Sequence, residues 1–130
     1  MKRVVVTGMA GITSLGNDWA TIAGHFKANH SGIRRMHEWD RFTELNTRLA
    51  GPIDDFKVPA HWTRKQLRSM GRVSRLAVAA AEQALADAGL LGDESIKDGR
   101  MGVACGSSTG STDEIKAFGN MLLNSVAEGL

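Results

Sequence analysis

An α/β fold is predicted from three features of the chain. Val4, Val5 and Val6 form a β-branched run bounded by bases and by glycine, the pattern of a strand buried on both faces. Residues 73–88 are alanine-rich and apolar around most of a helix circumference, which requires cover on more than one side. Met101, Gly102, Val103, Ala104 and Cys105 repeat the short apolar run, again followed by a glycine loop and a helix signal.

The elements follow in order. After the first strand, Gly8, Gly11 and Gly16 mark a tight turn. Asn17 or Asp18 can cap a helix carrying Trp19, Ile22, Ala23 and Phe26 on one face, ending between Asn29 and Gly32. Residues 33–62 have no clear period and hold Trp39, Trp62, Pro52 and Pro59, so surface loops and short helices with inward-facing aromatics are expected. Residues 48–51 suggest a short strand. Thr63 is placed to cap a short basic helix over residues 64–70, which Gly71 breaks. The main helix follows over residues 73–88, with Gly89 as the left-handed residue just past its end. Ser111, Thr112, Asp113 and Glu114 read as a capping box for a last helix whose apolar stripe is Ile115, Phe118, Met121, Leu122 and Val126.

Composition narrows the function classes. A chain of 130 residues is one domain's worth, and 42% hydrophobic with 23% charged residues fits a globular protein rather than a disordered one. The formal charge is only +2, so a nucleic-acid-binding surface is not expected, and any basic function must be local. One cysteine permits no internal disulfide, which suits a reducing cytosol. No apolar run approaches the roughly 20 residues of a membrane span. The apolar start breaks at Thr7 and Gly8, too early for a signal peptide core of about 7–15 residues, so a cytoplasmic location is expected.

Five features invite chemical readings. The spacing of Gly8, Gly11 and Gly16 misses the G-x-G-x-x-G of a dinucleotide fold, and a short-chain reductase would need glycine where Ile12 stands. A tight turn is the better reading; a nucleotide-dependent reductase is the alternative. The loop 106–110 precedes a helix but lacks the lysine of a phosphate loop, and Asp113 and Glu114 would repel a phosphate. Cys105 closes an apolar strand with no histidine near it in sequence, so a buried, un-ionised structural cysteine is expected. His25, His30, His37 and His61 include no pair at the i, i+4 metal spacing and read as surface or packing residues. Arg64, Lys65 and Arg68 share one face of a helix, which is either a solvated basic face or a docking surface.

The segments over residues 3–16, then Arg64, Lys65, Gln66, Leu67, Arg68, Ser69 and Met70, then the alanine-rich helix, then residues 103–110, resemble in that order the amino-terminal part of an elongating β-ketoacyl-acyl-carrier-protein synthase of the thiolase-like kind. The resemblance covers nearly the whole chain, and the ordered set is more specific than any one motif. It implies that residues 1–130 are the amino-terminal part of one β-ketoacyl synthase domain, within a thiolase-like α-β-α-β-α sandwich. It implies decarboxylative Claisen condensation of an acyl thioester with a malonyl thioester, for fatty acid, aryl polyene or polyketide synthesis. No organic cofactor and no metal are expected, and the whole protein is expected to be a homodimer. In that family the nucleophilic cysteine and two histidines come after this region. No catalytic residue is therefore expected within residues 1–130, which alone should be inactive and aggregation-prone or marginally stable. Arg64, Lys65 and Arg68 match the basic helix that docks the acyl carrier protein. Ser69 departs from it, with Arg72 or Arg75 as substitutes. Thr109 matches a pocket position that often carries a bulky aliphatic, which implies a roomier or more polar acyl pocket. The other class left open is a non-catalytic carrier-protein-binding module.

Overall fold

The computed structural model describes residues 3–125. Four α-helices dominate: α1 (Trp19–Lys27), α2 (Arg64–Leu67), α3 (Arg72–Asp87) and α4 (Thr112–Asn124). Two 3-10 turns, His37–Arg41 and Glu94–Lys97, lie in the connections. Two short strands, β1 (Arg34–Arg35) and β2 (Leu49–Ala50), pair antiparallel with Arg34 opposite Ala50 and Arg35 opposite Leu49. The expected strand at residues 48–51 is β2; its partner β1 carried no sequence signal.

Each helix has a local cause. The α1 N-cap is Asp18. One carboxylate oxygen accepts from the Thr21 amide at 2.9 Å and the other from the Thr21 hydroxyl at 2.7 Å. Those bonds hold the Asp18 carboxyl below the ordinary 3.8. Both long-predicted helix ends close in the same way. In α3, the Gly89 amide donates to Ala86 O at 3.0 Å and the Leu90 amide to Leu85 O at 2.8 Å, with Gly89 at φ +69°. In α1, the Asn29 amide donates to Phe26 O at 3.1 Å and the His30 amide to His25 O at 2.9 Å, with Asn29 at φ +54°. Both are Schellman motifs, which satisfy the last helix carbonyls through a left-handed residue.

The predicted strands at residues 4–6 and 101–105 are not formed. Val4 and Val103 are 91% and 93% exposed, and Cys105 is exposed rather than buried. The β-branched signal is present, but a strand needs a neighbour for its amides and carbonyls, and no strand lies beside either segment among the described residues. The helix over 73–88 also differs from expectation. Its bounds fall within one residue of those predicted, but only Ala79 is buried, because no other described element packs broadly against it. The stripe of α4 is likewise uncovered at Ile115, Phe118 and Leu122; Val126 lies outside the described residues.

The core is correspondingly small. Ile22, Trp62 and Ala79 are its buried hydrophobics, at 4%, 7% and 4% exposure. Trp39 is half-buried, whereas Trp19 stands out in solvent. The accessible surface is 10832 Å², against about 6,700 Å² for a compact monomer of this mass. Loops tie the helices together rather than broad helix-to-helix packing. Gly8 runs against the end of α3, where a Cβ would lie 2.3 Å from Ala84 O and 2.7 Å from Ala88 N. The next amide, of Met9, donates to Asp87 Oδ2 at 2.9 Å. Glycine at position 8 thus serves close approach to a helix, as well as ending the apolar run.

Candidate functional site

The basic helix α2 is shorter than predicted, spanning Arg64–Leu67 rather than residues 64–70. Its cap is as expected and tighter. The Thr63 hydroxyl oxygen accepts from the Gln66 amide at 3.3 Å, and the Thr63 amide donates to Gln66 Oε1 at 2.8 Å. That closes a capping box, with glutamine as its third-position acceptor. Gly71 is the N-cap of α3, so it ends one helix segment by starting the next.

Contacts from α3 hold α2 on both sides. Upstream, the Trp62 indole N–H donates to Glu82 Oε1 at 2.9 Å, and His61 Nε2 lies 3.1 Å from Glu82 Oε2. Downstream, Arg75 Nε donates to Met70 O at 2.9 Å and its Nη2 reaches Leu67 O at 3.5 Å. Glu82 carried no sequence signal; Trp62 was expected to face inward and does, and Arg75, expected as a possible docking base, serves to position the segment instead.

The result is an exposed concavity lined by Arg64, Lys65, Leu67, Arg68 and Arg75. Among the described residues, no carboxylate lies within ion-pair distance of Arg64, Lys65 or Arg68. Arg72 and Arg75, considered as substitutes for a missing base at Ser69, are already engaged. Arg72 donates to Ile53 O, and Arg75 holds the α2 carbonyls. Arg64 and Lys65 of α2 and Arg68 at its C-cap are the cations of this concavity left facing water.

The loop 106–110 sits elsewhere on the chain. Thr109 is exposed and does not line the basic concavity. The Gly110 amide donates to Ser107 Oγ at 3.0 Å, so the loop uses one of its own donors internally. The expected capping box of α4 is not made: Ser111 occupies the N-cap position without a side-chain bond to its own helix. Its Oγ instead accepts from the Val73 amide at 3.2 Å, in the first turn of α3. The competing donor comes from 38 residues upstream, which a local sequence motif cannot register. Cys105 makes no hydrogen bond to a histidine among the described residues, and no group of three or more His, Cys, Asp or Glu side chains converges there. No helix among them is long and apolar enough to cross a membrane.

The sequence profile for the β-ketoacyl synthase N-terminal domain matches residues 1–126. The chain belongs to the β-ketoacyl synthase family. A solved β-ketoacyl synthase from Burkholderia phymatum STM815 shares 58% identity and superposes with a TM-score of 0.88, over 98% of this chain and 31% of that one. The fold is therefore thiolase-like α/β. A curated relative from Vibrio harveyi, a 3-oxoacyl-[acyl-carrier-protein] synthase 2, is 38% identical over 119 residues, covering 89% of this chain and 28% of its own length. The Staphylococcus aureus (strain COL) protein of the same name is 32% identical over 128 residues, covering 95% and 29%. This β-ketoacyl synthase chain thus spans under a third of the length of these relatives.

Proposed function

We propose that residues 1–130 are the amino-terminal part of a 3-oxoacyl-[acyl-carrier-protein] synthase acting in fatty acid or related acyl-chain synthesis. The whole enzyme joins an acyl thioester to a malonyl thioester with loss of carbon dioxide. The carbanion formed at decarboxylation attacks the carbonyl of an acyl group held on a cysteine, and backbone donors stabilise the oxyanion. Cys105 is not assigned that role: although exposed, it has no histidine partner among the described residues and stands outside any helix start. Residues 1–130 therefore supply scaffold, a carrier-docking face and one wall of the acyl pocket, and by themselves do not condense. The protein works in the cytoplasm as a homodimer, and its partner is an acidic acyl carrier protein.

The observation that carries this reading is the unpaired basic face of α2. Arg64, Lys65 and Arg68 are exposed, lack carboxylate partners among the described residues, and sit on a helix whose position α3 fixes. Exposed charge pairs contribute only about 0–1 kcal/mol each, but together they steer an acidic partner. The test is the double reversal Lys65→Glu and Arg68→Glu in the protein at its natural length. Carrier affinity should fall measurably, and more at low salt than at high salt. Equal affinity for the wild type and the double variant at low ionic strength would take α2 out of the interface.

A further inference from the structure

We propose that the carboxyl end of α1 is a two-imidazole site for a borderline divalent cation: Zn²⁺, Ni²⁺ or Cu²⁺. The residues are His25 and His30. Their Nδ1 atoms lie 3.2 Å apart, with ring centroids 5.4 Å apart and planes inclined by 41°.

The backbone makes this pair. A Schellman motif brings together the side chains three residues before the helix end and two residues after the cap, and an apolar contact usually occupies those places. In α3 the two places are Leu85 and Leu90. In α1 the same hydrogen-bond pattern puts His25 and His30 there. The spacing is i, i+5, which would not meet on a continuing helix. It meets here because Asn29 turns left-handed, at φ +54°. Two metal-ligating side chains thus stand where two leucines would ordinarily touch, held by amide bonds of 3.1 and 2.9 Å that do not involve the rings.

The separation matches a chelate. Two Zn–N bonds of about 2.0–2.1 Å at a tetrahedral angle place their nitrogens about 3.3 Å apart. The rings meet nearly end to end through Nδ1, the arrangement of a hydrogen bond, so the exposed His30 ring must tilt to aim both lone pairs at one cation. Without metal, one Nδ1–H donates to the other Nδ1. With metal, the donor ring shifts its proton to Nε2, so both lone pairs face the cation and no proton is lost from neutral rings. His30 is exposed, which leaves the remaining coordination positions to water. Neutral imidazole suits Zn, Cu and Ni, whereas Mg²⁺ and Ca²⁺ take oxygen ligands. The site is distinct from condensation chemistry, and its effect is to pin the end of α1.

The experiment is a calorimetric titration of Zn²⁺ into the protein at its natural length, as wild type, His25→Gln and His30→Gln. Both variants keep a polar side chain and the backbone bonds of the motif. Each should lose one equivalent of Zn²⁺ or bind it about tenfold or more weakly, because a chelate becomes a single ligand. The rise in Tm with Zn²⁺ should shrink in both. Ni²⁺ should repeat the pattern, and Mg²⁺ should give no histidine-dependent signal. Wild-type stoichiometry and affinity in either variant overturns the proposal, as does an equal Zn²⁺ effect in all three proteins. Should a variant fail to fold, histidine-labelled wild-type protein decides by NMR: Ni²⁺ must broaden two ring signals together, and broadening of one or none overturns the site.

Discussion

Replacing Ser111 by alanine tests how the loop 106–110 is fastened. The Ser111 hydroxyl is the acceptor for the Val73 amide, one of the donors that the first turn of α3 leaves without an intrahelical partner. The bond is 3.2 Å long and partly buried, at the long end of ordinary N–H···O geometry, so its own contribution sits in the lower part of the range for a cap. Leaving a half-buried amide without an acceptor adds to the loss. The two together come to about 1 kcal/mol, equivalent to about a fivefold change in a local opening constant. Amide hydrogen exchange reads this residue by residue. Ser111→Ala should speed exchange at Val73 about fivefold and leave the first amides of α4 nearly unchanged. Glu114→Ala is the control, since Glu114 forms no capping box with Ser111, and it should leave Val73 untouched. The reasoning fails if Val73 exchanges as before in Ser111→Ala, or if Glu114→Ala accelerates it equally.

Three further outcomes follow from the same structure. Gly8→Ala drives a methyl into the backbone of α3 at Ala84 and Ala88, neither of which can swing aside, and should cost about 1–3 kcal/mol, read as a lower denaturation midpoint. The Asp18 carboxyl is depressed by Thr21, so its contribution is complete above the ordinary 3.8 and is lost as pH falls through its lower folded value. Helicity of α1 should therefore fray below about pH 4, and Asp18→Asn, which keeps the acceptor, should flatten that dependence; identical acid profiles would refute the assignment. On the proposed function, in which Thr109 lines the acyl pocket, Thr109→Phe in the intact enzyme should shorten the acyl chains accepted, and an unchanged product profile would take Thr109 out of the pocket.

Signals that act within one turn of chain were legible in the sequence. Asp18, Thr63 and Gly89 cap or end their helices as their residue types predict, and the bounds of α3 fall within one residue of the expected ones. Features that need a distant partner were not legible. Ser111 and Glu114 spell a capping box, yet the hydroxyl accepts from the Val73 amide of another helix instead. The β-branched residues at 4–6 and Val103 carry the composition of buried strands, but composition cannot supply the neighbouring strand. His25 and His30 read as surface or packing residues because they stand five apart, and they meet only through a left-handed exit. Of the candidate site, the three cations of α2 were visible in the sequence. What positions them was not, since Glu82 and Arg75 reach across from α3.

The bracketing of α2 has a consequence for the timing of an encounter. A four-residue helix does not hold itself in water, where isolated helices shorter than about 12–15 residues are marginal. Trp62 and Arg75 settle its shape when the chain folds. A partner arriving at Arg64, Lys65 and Arg68 therefore has no backbone to order, and restricts only three long side chains, at about 0.5–1.5 kcal/mol each. Charges that stay hydrated attract early and grip weakly, so such a complex forms quickly and dissolves quickly. On the proposed function each carrier must leave before the next arrives, so a surface that lets go is worth as much as one that attracts.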